Sequence, residues 1–279
     1  KGNIWVGTKD SGTYYFDGKD FHYIRVEAPV IYWVNNIFEN VDGNIWIAAN
    51  NGIFIYDWKN MYSTDITKKC GSITTDSLGR IWVGIENEVY HSTGSGYVKW
   101  KPDDCVFRSS ISQLFFDSFG QLWISTSQSG LALFDGESLS FFDKSTGLPG
   151  AKIETLDQDK SGAIWIAYSE GVCRYGGNLF THYTVDRVVG CNCRKPFLHD
   201  SRNRLWFSSD EIQGVACIVG KEIYHYGRPE GFHLSHPYVM TEDKEGTIWF
   251  TEWGEGLCAF DGKTFATYTR KQGLFSDTI

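Results

Sequence analysis

A chain of 279 residues with 42% hydrophobic and 22% charged content has a globular balance and is long enough to bury a large core. Its formal net charge of -8 gives no electrostatic basis for gripping a phosphate backbone, so nucleic acid is not an expected partner. There is no apolar run of about 18 residues, so no membrane-spanning helix is expected.

The chain opens at Lys1 in mid-repeat, without an initiator Met, which points to a piece of a longer protein. The stretch GNIWVGT at 2–8 comes first. It returns as GNIWIAA at 43–49, GRIWVGI at 79–85, GQLWIST at 120–126, GAIWIAY at 162–168, NRLWFSS at 203–209 and GTIWFTE at 246–252. The tryptophans Trp5, Trp46, Trp82, Trp123, Trp165, Trp206 and Trp249 are separated by 41, 36, 41, 42, 41 and 43 residues, a period that belongs to repeat architectures.

Each repeat can be laid out from its tryptophan. Nine residues before it stands an apolar residue (Ile37, Ile73, Leu114, Leu156, Phe197, Met240). Six before it stands an amide or an acid (Asn40, Asp76, Asp117, Asp159, Asp200, Asp243), and three before it a glycine or Asn203. Asp at the first position and Gly at the fourth predict a type I turn or a left-handed residue just after one, and Asn tolerates that conformation too. Apolar neighbours on both sides of each tryptophan predict a strand buried on both faces.

A third strand follows at 13–16, 53–56, 131–134, 172–175, 215–218 and 257–260. Tight turns come next, at Asp17-Gly18, Asp135-Gly136, Gly176-Gly177 and Asp261-Gly262, followed by aromatic-rich fourth strands such as 21–24, 179–184 and 265–269. Four short antiparallel strands per repeat make a propeller blade. No repeat has a helical period, which excludes leucine-rich, ankyrin and helical arrays. The fold expected is an all-β, seven-bladed β-propeller of four-stranded antiparallel blades, a single domain over 1–279. The C-terminal segment 273–279 matches 147–153, which leads into an inner strand, so the ring is expected to close between N- and C-terminal strands.

Seven cysteines fit no zinc module, the nearest approach being Cys191-x-Cys193, and most are expected to be buried small hydrophobes. No cofactor motif, metal cluster or phosphate-cradling loop is present, and no catalytic residue is assigned.

The string D-x-x-G-x-I/L-W-V/I, then G-L-x-x-F-D-G, then F-x-x-Y-T and G-L resembles the two-component regulator propeller repeat of bacterial hybrid histidine kinases. The best copies are 117–147 and 243–274, and the resemblance covers nearly the whole chain. Repeats three and six depart most, with Glu86-Asn87-Glu88 in place of a glycine turn and Glu211-Ile212-Gln213 inserted before Gly214. WD and kelch repeats fit less well, because no Trp-Asp dipeptide ends the strands and the period is short. The resemblance implies a periplasmic or extracytoplasmic sensor of oligosaccharides whose signal passes to a downstream kinase. Its expected partners are a small-molecule or oligosaccharide ligand, signalling domains of the same longer chain, and a second copy in a homodimer.

Propellers bind ligands on the face whose loops enter the innermost strands and join second to third strands. Entering the inner strands are Tyr32-Trp33, Lys68-Lys69, Arg108, Lys152, Arg187 with Arg194, and His233 with His236. Leaving the second strands are Lys9-Asp10, Asn50-Asn51, Glu86-Asn87, Ser127-Gln128, Tyr168-Ser169-Glu170, Asp210-Glu211 and Glu252-Trp253. The candidate ligand-binding set is Trp33, Lys69, Arg108, Lys152, Tyr168, Arg194, His236, Glu252 and Trp253. Flat rings suit the C–H face of a sugar, amides and carboxylates its hydroxyls, and cations an acidic glycan. The bland alternative is a set of ordinary loop residues around a solvent-filled channel.

The string FTEWG at 250–254 is also similar to the active-site repeat of streptogramin B lyases, which places a His eleven residues before the tryptophan and a Glu three after it. Glu252 fills the second position. The first is Tyr238, and His236 stands two residues off, about 6.6 Å along a strand. General acid-base chemistry does not tolerate that displacement without compensation. An interaction scaffold is the third alternative.

Overall fold

The structure is a computed structural model that describes the chain except residues 1–2, 9–11, 25–30, 32, 94–95, 103–106, 169–170, 184–196, 210–213, 220–221, 236, 238, 253, 275 and 278–279. It is all-β, and its strands form seven sheets.

Sheet 1 comprises β1 (Ile4–Gly7), β2 (Thr13–Phe16) and β3 (Phe21–Ile24). Sheet 2 comprises β4 (Val34–Glu39), β5 (Ile45–Ala49), β6 (Gly52–Tyr56) and β7 (Met61–Ser63). Sheet 3 comprises β8 (Cys70–Thr75), β9 (Ile81–Ile85), β10 (Glu88–Thr93) and β11 (Gly96–Trp100). Sheet 4 comprises β12 (Ile111–Phe116), β13 (Leu122–Thr126), β14 (Leu131–Phe134) and β15 (Leu139–Phe142). Sheet 5 comprises β16 (Ile153–Gln158), β17 (Ile164–Tyr168), β18 (Gly171–Tyr175) and β19 (Phe180–Tyr183). Sheet 6 comprises β20 (Phe197–His199), β21 (Leu205–Ser209), β22 (Gly214–Val219) and β23 (Glu222–Tyr226). Sheet 7 comprises β24 (Val239–Glu242), β25 (Ile248–Glu252), β26 (Gly256–Phe260) and β27 (Phe265–Tyr268). Neighbouring strands pair in chain order, antiparallel, as meanders whose turns the sequence marks with Asp and Gly.

From Trp46 onward, the turn before each repeat tryptophan is the one its residues predict. Gly79 N–H donates to Asp76 C=O at 3.0 Å, Gly120 to Asp117 at 3.0 Å and Asn203 to Asp200 at 3.0 Å, and all three donors have positive φ. The aspartate has a second task. In sheet 4, Asp117 Oδ1 accepts the N–H groups of Phe119 and Gln121, both at 2.9 Å, while Oδ2 accepts Trp123 Nε1–H at 2.9 Å. The same indole bond joins Trp82 to Asp76, Trp165 to Asp159, Trp206 to Asp200 and Trp249 to Asp243, at 2.8 to 2.9 Å. A carboxylate serves here because it has acceptor sites on both oxygens. In sheets 3, 5 and 6 an arginine (Arg80, Arg174, Arg204) bonds the same carboxylate and lies over the indole, 5.0 to 6.0 Å from the ring centroid.

Every residue of the tryptophan-bearing strands β9 and β13 is buried, whereas Trp5, Trp46 and Trp165 in β1, β5 and β17 are half-buried. The chain divides into two compact units. One is Gly7–Thr13 with Ile24–Ile153, and the other is Lys1–Val6, Tyr14–Tyr23 and Glu154–Ile279. Within the first, Ala48 and Ile53 of sheet 2 pack on Ile73, Ile81 and Val83 of sheet 3, and Trp82 and Val89 of sheet 3 pack on Ile111, Leu114 and Ile124 of sheet 4. Within the second, Ala167 of sheet 5 packs on Leu205 and Phe207 of sheet 6, and Trp206 and Val215 of sheet 6 pack on Phe250 and Phe260 of sheet 7. There too, Trp249 and Leu257 of sheet 7 pack on Ile4, Val6, Tyr14 and Phe16 of sheet 1. The expected contribution of the C-terminus to sheet 1 falls on residues 275, 278 and 279, outside the described residues. The described part of the match holds: both Gly147 and Gly273 end a 3-10 turn in the left-handed region, and Leu148 and Leu274 are buried after them.

Candidate functional site

The two sets of loops that define the candidate face do meet. Asn50 N–H donates to Trp33 C=O at 3.2 Å in sheet 2, and Ser127 N–H donates to Ser110 C=O at 2.9 Å in sheet 4. Bulges at the start of the inner strands prepare the same edge: the register shifts between Val34 and Asn36, between Cys70 and Ser72, and between Ile111 and Gln113. A bulge leaves one residue outside the ladder and re-aims its side chain. In sheet 2 that residue is Asn35, whose amide donates to Asn50 Oδ1 at 3.0 Å and to Cys70 C=O at 2.8 Å.

Trp33 precedes this bulge with its side chain 43% exposed and its backbone at φ 52, a region a bulky residue seldom enters. Lys69 is exposed beside Cys70. Trp33, Asn35, Asn50 and Lys69 thus share one edge of the first unit. Asn35 was missed in the sequence because alternation places it simply within a strand; only the register shift sets it apart.

Arg108 lies at a second place in the same unit. With Gln128, Ser129 and Thr126 it lines a cavity of about 710 Å³ on sheet 4, together with Phe107, Leu131, Ala132, Leu139, Phe141 and Phe142. Lys152 is exposed next to Ala151 on the cavity wall. The loop positions put Arg108 and Gln128 on the same candidate face, and both line this cavity. The aromatic wall was not, because Phe141 reads as an ordinary outer-strand residue.

In the other unit, Tyr168 and Glu252 end their second strands with only 4% and 8% exposure. The Glu252 carboxylate accepts the backbone N–H of Ser235. Arg194, His236 and Trp253 lie outside the described residues, as do Tyr32 and Arg187.

Two tryptophans outside the repeat signature are structural. Trp58 takes the hairpin position that is glycine in other repeats, at φ 72, and its indole N–H donates to Gly43 C=O at 2.6 Å. Trp100 packs edge-on against Trp82 and Phe134, at 5.5 and 5.0 Å between ring centroids. Cys70, Cys173, Cys217 and Cys258 are buried free thiols, and burial pushes each up to about 12, far from the thiolate state that nucleophilic or redox chemistry requires. Among the described residues no cluster of three His, Cys, Asp or Glu side chains could hold a metal ion, and no helix is long and apolar enough to cross a membrane.

No protein-family model matches the sequence, and no curated protein matches it. Solved structures do. The extracellular domain of BT4673 from B. thetaiotaomicron, described as a one component system, matches 93% of this chain with a TM-score of 0.76 at 18% identity. The chain spans 36% of that protein's length. A streptogramin B lyase matches 89% of this chain and 86% of its own, with a TM-score of 0.72 at 17% identity. A catalytically inactive virginiamycin B lyase from Staphylococcus aureus, solved with quinupristin, matches 90% of this chain and 88% of its own, with a TM-score of 0.73 at 17% identity. Likenesses at this level of identity establish the fold that the seven sheets describe, a seven-bladed β-propeller.

Proposed function

We propose that the chain is the ligand-sensing propeller of an extracytoplasmic bacterial regulator, that its ligand is an oligosaccharide, and that binding is passed to a kinase further along a longer chain. One observation carries the reading: a half-exposed Trp33 in a strained conformation, its carbonyl bonded to Asn50 N–H, shares an edge with the hydrogen-bonded asparagines Asn35 and Asn50 and with the exposed Lys69. Backbone strain is held only where the surroundings over-determine it, and here the asparagine bonds and the Trp33 carbonyl bond do so. A flat ring beside fixed amides matches the two sides of a pyranose, its C–H face and its hydroxyl edge. The likeness to the BT4673 extracellular domain supports the sensor role.

Titration calorimetry of the chain against a panel of neutral and acidic oligosaccharides tests the reading. At least one member should bind, and Trp33→Ala should weaken it by about tenfold or more, roughly 1.4 kcal/mol. Binding unaffected by that change, or no binding across the panel, sinks the proposal.

A lyase is the second reading, favoured by the buried carboxylate of Glu252 within FTEWG and by the lyase likenesses that span nearly the whole chain. Its test is turnover of a streptogramin B lactone, abolished by Glu252→Gln. Absence of turnover removes it.

A further inference from the structure

The geometry points to a second binding site, independent of the Trp33 patch: we propose that the cavity on sheet 4 takes a small aromatic carboxylate, its ring on the apolar floor and its anionic end on Arg108. The cavity, about 710 Å³, falls within the range of roughly 300–1,000 Å³ that small-molecule pockets occupy.

Its floor is fixed and apolar. Leu131 and Ala132 of β14 are each 1% exposed, and Phe107 is 6% exposed. Phe142 is held by stacking on Trp123 at 6.0 Å and 19°. Phe141 is 52% exposed at the mouth, tilted against Phe107 with the ring centroids 6.2 Å apart. An aromatic guest would cover this exposed ring and meet the floor face-on or edge-on.

Two loops supply most of the polar lining, through Arg108, Thr126, Gln128 and Ser129. Arg108 is exposed, and among the described residues no hydrogen bond or ion pair reaches its guanidinium. The Gln128 side chain is likewise unengaged among them. The two loops that carry these side chains are tied together before any ligand arrives. Ser109 Oγ–H donates to Ser129 Oγ at 2.9 Å, Gln128 N–H to Ser109 Oγ at 3.3 Å and Ser127 N–H to Ser110 C=O at 2.9 Å. A pre-organised edge of this kind loses little entropy on binding.

Among the described lining residues the one carboxylate is Asp143, and it is turned to structural use. Its Oδ1 accepts Ser145 N–H at 2.8 Å, Ser145 Oγ–H at 2.5 Å and Thr146 N–H at 3.3 Å, capping the 3-10 turn Lys144–Thr146. Among the described residues Arg108 is therefore the charge of the lining left to a ligand, and its planar fork matches a carboxylate in two parallel bonds. An oligosaccharide fits this pocket poorly: once the ring is enclosed, its hydroxyl edge would be desolvated against Leu131, Ala132 and Phe107 without partners.

The test uses the whole chain and three probes, read by saturation-transfer NMR and calorimetry. Phenylacetate should bind in the millimolar range or tighter, and phenylacetamide, its neutral counterpart, at least about fivefold more weakly. Arg108→Ala should weaken phenylacetate by about tenfold, and Arg108→Glu should abolish it and favour benzylamine instead. Trp33→Ala should leave phenylacetate binding unchanged, so this site and the proposed glycan patch fail separately. Equal binding of phenylacetate and phenylacetamide, binding insensitive to Arg108→Ala, or no binding of any probe overturns the proposal. Arg108 is exposed, so its variants keep the fold, and an unchanged thermal midpoint checks that.

Discussion

At the scale of single residues, sheet 2 carries a defect that its neighbours lack. Asn40 stands where sheets 3 to 7 have aspartate, and its Oδ1 still accepts the turn N–H groups of Asp42 at 3.1 Å and Asn44 at 2.9 Å. Its other terminal atom is an amide nitrogen, which donates and cannot accept. Trp46 Nε1–H is accordingly buried without a hydrogen-bond partner. Asn40→Asp should supply the acceptor and raise stability by about 1 kcal/mol, somewhat reduced by repulsion from the exposed Asp42 that Asn40 now bonds at 3.3 Å. The reverse change, Asp117→Asn, should cost about 1–3 kcal/mol by orphaning Trp123 Nε1–H. Urea unfolding midpoints of both variants decide the matter, and identical midpoints for Asp117→Asn and the parent would show the indole bond to be idle. The sequence displayed the constant interval of six between acid and tryptophan. It did not reveal the bond, because the turn alone already accounted for the aspartate.

At the scale of the strand and its turns, two glycines of sheet 4 separate conformational strain from steric conflict. Gly130 and Gly136 both have positive φ, at 83 and 104. A Cβ on Gly136 would meet nothing within 4 Å, whereas one on Gly130 would stand 2.3 Å from the carbonyl oxygen of Phe142. Gly136→Ala should therefore cost only the left-handed penalty, about 1–2 kcal/mol, and Gly130→Ala that amount plus a backbone clash that must be relieved by moving β15. Denaturant titration should rank Gly130→Ala lower by at least about 1 kcal/mol; equal losses would mean the strand yields freely. Hairpins of this kind were readable because Asp and Gly punctuate them. Exceptions were not: Trp58 occupies a left-handed turn position, and Glu86 does the same at φ 54 between β9 and β10, each against its own preference. Tertiary packing holds Trp58 there through the bond to Gly43, and no local pattern announces that.

At the scale of the molecule, Asp76 and Asp159 of the repeats, with the hairpin aspartates, bear on the acid limit of the fold. Burial works to raise the Asp76 carboxyl, yet hydrogen bonds from Trp82 and Arg80 outweigh it and hold the group below its ordinary value. Asp159 is lowered in the same way by Ser161, Trp165 and Arg174. At the exposed hairpins, backbone N–H groups lower Asp57, Asp135 and Asp261, and Asp20 N–H with the His22 ring and Lys19 N–H takes Asp17 down to about 2. A folded-state value below the unfolded one means stability that is fully present above about pH 4 and is lost as pH falls from there toward the lowered values. Asp157 has the opposite sign: burial raises it, so its contribution is present at low pH and disappears as pH rises through its raised value. The sum favours the lowered group, so the unfolding midpoint should be nearly flat from about pH 7 to 5 and fall steeply below about 4. Asp76→Asn should shallow that fall, and an unchanged slope would refute the assignment. The sevenfold repeat was legible because each copy restates one buried strand. The candidate site was legible only as far as its loops, because the side chains that shape a pocket are those on which the copies disagree. The indole bond closes within a span of seven residues, so a repeat brings its own donor and its own acceptor. A gene segment encoding one repeat can then be duplicated or exchanged without leaving a neighbour's indole unanswered, and an unfavourable change such as Asn40 stays confined to the copy that carries it.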